Sequence, residues 1–510
     1  MNAPPQINAR RRRIVVIGGG ISGLAAAHQL TRRDAAHDGG GGGGDAAPEV
    51  LLLEASGRLG GTIRTYRRDG FILEGGPDAF ISEKPEALEL AKGIGLESHL
   101  LETNEAHRRS FIVRGGRLRP VPEGFHLLAP SRFWPFVTTD IFSWAGKARM
   151  ALDLFLPRRV QVNGDDDESL AQFVRRRFGQ EALERMAQPM VGGIYTADPE
   201  HLSLRATMPR FLDMERAHRS IIRAMWHASR RVSNEQSRAT SGARYSLFLS
   251  FDGGMQMLTD RLAAQLPVET VRLGTRVEAL RFDSQTRQWK LRVSAHEATN
   301  GTGAKLSDET IVADAVCLAL PAHASAKLLG GVEAKLAGEL AAIPYASTAT
   351  VNLAFRRADI PHPLDGFGFV VPFVERLSVI ACSFSSVKFP HRAPEGTALL
   401  RAFVGGALQP EMYALDEDAI IAAVLADLRA LLRIECPPLF AHVEKWPRSM
   451  AQYHLGHLAR VARIREQLQR FPTLQLAGNA YGGAGIPDCI RSGHTAAAEL
   501  LSQLSSVVHA

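Results

Sequence analysis

The sequence predicts an α/β fold with a Rossmann-like unit, a parallel sheet covered by helices, and segments near both ends of the chain carry that prediction. Ile14 to Gly23 read IVVIGGGISG, a β-branched strand running directly into Gly18, Gly20 and Gly23. Leu51 to Leu53 form a second apolar strand that stops at Glu54. Far downstream, LQLAGNAYGGAGIPDCIRSGHTAAAEL, from Leu474 to Leu500, reads as a strand, a glycine-rich loop and a helix. Strands alternating with helical patterns in this way indicate βαβ units.

Each residue of the first unit has a physical task. Gly18 makes the tight turn, Gly20 lets the backbone approach a pyrophosphate, and Gly23 lets the helix lie close to the strand. Gly19, Ile21 and Ser22 complete the turn, and the helix that starts near Ile21 aims its positive N-terminus at the phosphates. The Glu54 carboxylate can accept hydrogen bonds from adenosine ribose hydroxyls and repels a 2′-phosphate, so FAD or NAD is expected and NADP is not. Glu54 comes later than the usual offset of about 20 residues. The excess is the stretch 34–48, which includes the consecutive glycines Gly39 to Gly44. Such a run buries no apolar area against its backbone entropy, and a surface excursion without assigned function is expected.

The segment EASGRLGGTIRT chooses between the cofactors. Ala55, Arg58, Gly60, Gly61, Thr62 and Arg64 place a glycine pair and two cations just after the ribose carboxylate. That arrangement suits the diphosphate of an extended FAD, and NAD dehydrogenases do not need it. In the C-terminal unit, Gly478, Gly485 and Ile486 lead to Pro487 and Asp488 in the first turn of the expected helix. Proline is favoured there because its missing N–H would be unsatisfied anyway. The helix N-terminus supplies positive potential where reduced flavin gathers negative charge, at its N1 and C2 carbonyl.

Composition excludes several classes. At 510 residues and 45% hydrophobic content the chain can bury a large core, and its length suggests about two to four domains. Cys317, Cys382, Cys436 and Cys489 stand far apart, without CxxC or Cys/His clusters, so each reads as a small buried hydrophobe in a reducing compartment. No metal site is expected. Arg10 to Arg13 before IVVIGGGISGLAAA superficially resemble a signal peptide, but the run is broken by glycines and continues into the dinucleotide fingerprint. No apolar stretch reaches the roughly 18 residues of a membrane span, and a cytoplasmic location is expected. The net charge of +7 is modest and its cations scattered, which argues against nucleic-acid binding. One segment, Phe125 to Val160, mixes aromatics with Arg132, Lys147, Arg149, Arg158 and Arg159. Peripheral contact at the inner face of a membrane is one reading of it; the other turns the aromatics inward onto an apolar ligand or core.

The order of glutamate, arginine and glycine pair after the second strand resembles the flavin amine oxidase superfamily. EGGPDAFISEK (Glu74 to Lys84), ATMPRFLDMERAHRSII (Ala206 to Ile222), FDGGMQML (Phe251 to Leu258), QYHLGH (Gln452 to His457) and GIPDCIRSG narrow this to the protoporphyrinogen and coproporphyrinogen oxidases of haem biosynthesis. PFVTTDIFSWAGKAR and HRAPEGTALLRAFVGG look closer to the bacterial branch.

That resemblance implies an α/β plus α+β architecture with a discontinuous FAD domain, at 10–84, 251–322 and 465–508. It implies a mixed-sheet substrate domain at 85–105, 216–250 and 323–464, and a helical lobe at 106–215 that contains the segment open to either the membrane-contacting or the inward reading. GTRVEAL reads as an edge strand whose Val277 backbone pairs with adenine, and ADAVCLALP as a buried parallel strand. Gly76, Pro77, Asp78 and Ala79 join the cofactor set, and Trp446 matches a position beside the isoalloxazine. Lys84 and Arg109 are the cations expected to meet substrate carboxylates; Ser110 stands where eukaryotic relatives carry arginine. Gly192, Gly193 and Ile194 match a loop that brings backbone carbonyls and an apolar side chain to the macrocycle. His454 and His457 read as structural residues of a turn beside the flavin.

The implied reaction is the FAD-dependent, six-electron oxidation of coproporphyrinogen III or protoporphyrinogen IX. A meso-carbon hydride leaves for flavin N5 as a pyrrole nitrogen pushes electron density into the bridge, and no protein acid, base or nucleophile is required. Molecular oxygen then accepts the electrons and gives hydrogen peroxide. Transient contact with the next haem-pathway enzyme is a further expectation. The alternatives are a flavin amine oxidase, which should show an aromatic pair where the Asn479 to Tyr481 stretch offers only Tyr481, and a non-catalytic FAD-binding scaffold.

Overall fold

Short strands of valine, isoleucine and leucine build the central sheet of the computed structural model, which describes residues 11–37, 48–126, 129–130, 132–159, 167–227, 247–297 and 305–506. Val271–Arg272, Glu49–Leu53, Arg13–Ile17, Ala315–Leu318 and Leu474–Leu476 lie side by side in that order, all parallel. Alternate side chains divide between two cores: Val15, Ile17, Leu51, Leu53, Val316 and Leu318 face one, and Ile14, Val16, Val50, Leu52, Ala315 and Cys317 the other. Burial on both faces is why these strands read as continuous apolar runs. The helices Ile21–His37 and Ile486–Ser506 pack together over one core. Gly493 permits their approach, since a Cβ there would run into the Ser22 carbonyl. The two sequence-distant glycine motifs therefore lie side by side. The run Gly39 to Gly44 falls outside the described residues.

A second, seven-stranded sheet runs in the order Phe440–Ala451, Tyr345–Arg356, Thr397–Gly405, Val379–Phe384, Gly368–Val370, Phe111–Arg114, Arg117–Pro120. The helix Glu417–Leu432 covers part of it through Ile420, Val424 and Leu428. A helical lobe packs around Phe173, Phe178 and Phe211 and contains a fully buried ion pair, Arg177 Nε to Asp153 Oδ1 at 2.6 Å.

Two expected boundaries move. Residues 111–120 belong to the seven-stranded sheet rather than to the helical lobe, because Phe111 and Val113 alternate into its core. The Pro85–Gly93 helix belongs with the parallel-sheet unit, because it packs on the last helix and Ala87, Leu90 and Ala91 are buried in the core that the first and last helices share. Leu100–Glu102 pairs with Phe248–Phe251. In the 125–160 segment, Phe136 and Phe142 face inward while Phe133, Trp134, Trp144 and Phe155 are exposed. The inward reading thus holds for only part of the segment. Cys317, Cys382 and Cys489 are buried as expected, whereas Cys436 is exposed.

Candidate flavin and substrate site

The dinucleotide fingerprint is packed to the limit on one side and open on the other. A Cβ on Gly18, whose φ is +107°, would lie 2.5 Å from the Ala319 carbonyl, and one on Gly23 would enter the Gly18 carbonyl. Gly20, by contrast, has nothing among the described residues within 4 Å of its Cβ position. The second glycine turn closes on the first: Gly60 N–H donates to Gly19 O at 2.8 Å, and the Cβ position of Gly61 is 3.1 Å from Gly20 Cα. Glu54 Oε2 accepts from Gly19 N–H at 2.7 Å and Oε1 from Ser56 N–H at 2.8 Å, which fixes the carboxylate at the strand end. An open glycine surface, a helix N-terminus and an anchored carboxylate fit a dinucleotide. Arg58, expected as a diphosphate cation, has a second task in the turn. Its guanidinium donates to the carbonyls of Leu59, Gly61 and Ile63 and braces the turn from within.

The Glu74–Ala79 loop is wedged against that turn, for a Cβ on Gly76 would enter the Thr62 carbonyl. The seven-stranded sheet grips its other side. Gly75 O accepts from Thr350 Oγ1 and from Trp446 Nε1, each at 2.8 Å, Glu74 O accepts from Asn352 Nδ2 at 3.1 Å, and Gly76 O accepts from Arg401. Burial would raise the Asp78 carboxyl, but Lys388 at 2.9 Å and Arg401 at 3.7 Å hold it down to about 2. Glu74 is raised by burial, and Arg392 at 3.4 Å offsets only part of that. Sequence reasoning missed Thr350, Asn352, Lys388, Arg392 and Arg401. Polar residues inside the apolar runs ATVNLAFR and LLRAFV were the available signal.

The last helix is tied to the Pro85–Gly93 helix by a ring of charges. Lys84 Nζ lies 2.6 Å from Asp488 Oδ2, and Arg491 pairs with both Asp488 and Glu86. Ahead of this helix, the Tyr453 hydroxyl donates to Asn479 O and accepts from Gly483 N–H at 3.0 Å. His457 stacks on Tyr453 at 4.3 Å, and burial lowers its pKa to about 4, so it is a neutral structural ring. Tyr481 is buried in the same loop.

The substrate residues expected from the sequence lie on separate elements, although Arg109 and Gly193 both adjoin the Gly368–Val370 strand region. Arg109 pairs with Asp365 at 3.2 Å. Gly192, Gly193 and Ile194 lie in the last turns of the helix Gln188–Tyr195, not in a loop, and Gly192 O already accepts from Thr196 N–H at 3.0 Å. The Cβ position of Gly193 is 3.6 Å from Val370, and Ile194 is exposed. Val277 sits on the edge strand of the sheet formed by Thr275–Asp283, Gln288–Glu297 and Lys305–Ala313, beside a bulge.

The family model for flavin containing amine oxidoreductases matches residues 21–501. The chain belongs to that family. It is an oxidoreductase, and FAD, for which the glycine cradle is shaped, is its cofactor. It is 36% identical to the coproporphyrinogen III oxidase of Bacillus subtilis (strain 168) over 459 residues, 90% of this chain and 93% of the relative. It is also 36% identical to the coproporphyrinogen III oxidase of Propionibacterium freudenreichii, covering 89% of this chain and 86% of the relative. A crystal structure from Exiguobacterium sp. 255-15, provisionally assigned as a protoporphyrinogen oxidase, superposes with a TM-score of 0.79 at 29% identity, covering 96% of this chain and 99% of that one.

Proposed function

We propose that this flavoprotein oxidises a porphyrinogen to a porphyrin in haem biosynthesis, with coproporphyrinogen III favoured over protoporphyrinogen IX. The observation that carries the reading is the end-to-end likeness, at 36% identity, to bacterial enzymes named for the first of these substrates. The plant protoporphyrinogen oxidases stand lower, at 28% for that of Arabidopsis thaliana. When bound, FAD accepts hydride from the substrate and passes the electrons on, which we take to be to molecular oxygen with release of hydrogen peroxide.

The chain's own residues then bind, orient and shield. Gly18, Gly19, Gly20, Ile21, Ser22 and Gly23 receive the pyrophosphate, with Glu54 and Ala55 toward the ribose and Val277 toward the adenine. Arg58 holds Gly60, Gly61 and Thr62 in the shape of the second turn. Gly76, Pro77, Asp78 and Ala79, fixed by Trp446 and the neighbouring cations, would hold the flavin. Gly478, Gly485, Ile486 and Pro487, where the last helix begins, would offer it the helix N-terminus. Lys84 and Arg109 offer a propionate only those donors that Asp488 and Asp365 leave free, and Gly192 to Ile194 offer an apolar surface.

We place the enzyme in the cytoplasm, with the exposed Trp134 and Trp144 resting at a membrane surface and handing porphyrin to the next haem-pathway enzyme. No helix among the described residues is long and apolar enough to cross a membrane. The test is a side-by-side fluorescence assay with coproporphyrinogen III and protoporphyrinogen IX. Faster porphyrin formation from the former supports the proposal, and formation from neither, with FAD bound, overturns it.

A further inference from the structure

A substrate with several propionates needs cations whose charge is not already neutralised. Lys84 and Arg109 both face carboxylates, and the buried Arg392 and Arg401 and the half-buried Lys388 are matched by Glu74 and Asp78. Arg448 is different. Its exposed guanidinium makes no ion pair and no hydrogen bond among the described residues.

The backbone has been shaped to present it. Between Trp446 and Met450 the strand Phe440–Ala451 bulges away from its neighbour, where the pairing shifts between Ala346 and Thr348. Arg448 sits at the crest with φ +44°, a conformation costly for a residue with a Cβ. Its N–H is held by Ser347 Oγ at 2.9 Å. On either side the crest is fastened to flavin-binding segments, through Trp446 Nε1 to Gly75 O at 2.8 Å and Asn479 Nδ2 to Ser449 O at 3.0 Å.

Two residues before Ser347, on the same face of the strand, is Tyr345, whose ring meets His323 edge-on at 4.9 Å. His323 Nδ1 is buried and has no hydrogen-bond partner among the described residues. Burial, followed by the charges of Arg448 and Lys327, lowers the affinity of that ring for a proton. The bulge thus presents an unpaired guanidinium, and the neighbouring strand sets Tyr345 against a ring nitrogen without a partner, with no carboxylate paired to Arg448 among the described residues. A buried polar atom without a partner is costly, and an anion placed between these groups would satisfy it.

We propose that Arg448 and His323 form a carboxylate-binding subsite that takes one propionate of the porphyrinogen and sets its orientation over the flavin. This rests on the functional reading above. A carboxylate can accept two parallel N–H bonds from the planar guanidinium, and a third from His323.

The experiment compares wild type, Arg448→Gln and Arg448→Lys, all loaded with FAD. Steady-state rates are measured with coproporphyrinogen III, and equilibrium binding of the stable product coproporphyrin III is followed by fluorescence. Loss of a charge-assisted contact should raise both KM and the product Kd in Arg448→Gln roughly ten- to hundredfold. Flavin content and its absorption bands should stay as in wild type, and Arg448→Lys should recover part of the affinity. Unchanged KM and Kd in Arg448→Gln, with an active wild type, would overturn the subsite alone. A flavin-loaded wild type that oxidises no porphyrinogen would overturn the functional reading and the subsite together.

Discussion

Replacing Lys84 by methionine removes the ammonium that links two helix starts while keeping most of the side chain's bulk. In the folded protein Nζ is 2.6 Å from Asp488 Oδ2, with the lysine side chain 45% exposed and the aspartate 4%. Two unit charges about 4 Å apart attract by about 4 kcal/mol at an effective dielectric of about 20. Solvent at the half-exposed ammonium screens much of that, and Arg491 still serves Asp488. The net cost should fall at about 1 to 2 kcal/mol, between an exposed pair and a broken buried one. Lys84→Glu should cost more, because it sets a third carboxylate beside Asp488 and Glu86. Thermal unfolding of the FAD-loaded variants and FAD retention on dilution measure the effect, and both should decrease in the order wild type, Lys84→Met, Lys84→Glu. A raised KM in Lys84→Met without any change in melting temperature or FAD retention would refute this reasoning and make substrate binding the primary role of Lys84.

Glu54→Ala should lose FAD on dilution, since it removes the ribose acceptor and frees the Gly19 and Ser56 N–H groups, a loss of about 1 to 3 kcal/mol; stoichiometric FAD after gel filtration would contradict the site. A thiol reagent should label Cys436 readily in the native protein, because Cys317, Cys382 and Cys489 are buried and pushed up to about 12; mass spectrometry locates the adducts. His457 is lowered from 6.5 to about 4 by burial, so the unfolded chain binds its proton more tightly. Its contribution to stability is complete above pH 6.5 and is lost as pH falls toward 4, and denaturation curves of His457→Phe should show a shallower decline across that window. Trp134 and Trp144 are 72% and 73% exposed, whereas Phe136 is buried, so flotation with anionic liposomes should fall when both tryptophans become serine and stay unchanged in Phe136→Leu.

The sequence by itself determined the parallel sheet, the glycine cradle and the acidic strand end. It could do so because those features are local: a β-branched run, a turn that tolerates only glycine and a helix start occupy about ten adjacent residues. It also marked the last helix, whose proline in the first turn is a local signal. The tertiary structure decided what depends on partners distant in the chain. Arg58 and Lys84 read as free cations, yet folding brings carbonyls to the first and Asp488 to the second. Residues 111–120 lay within a stretch assigned to helices, but they extend a sheet whose other strands come hundreds of residues later. Arg401, Lys388 and Asn352 gave no periodic signal, because each serves individual polar contacts with the Glu74–Ala79 loop. Arg448 stands apart from them because no carboxylate among the described residues pairs with it, a property that belongs to the arrangement of strands and to no short stretch of sequence.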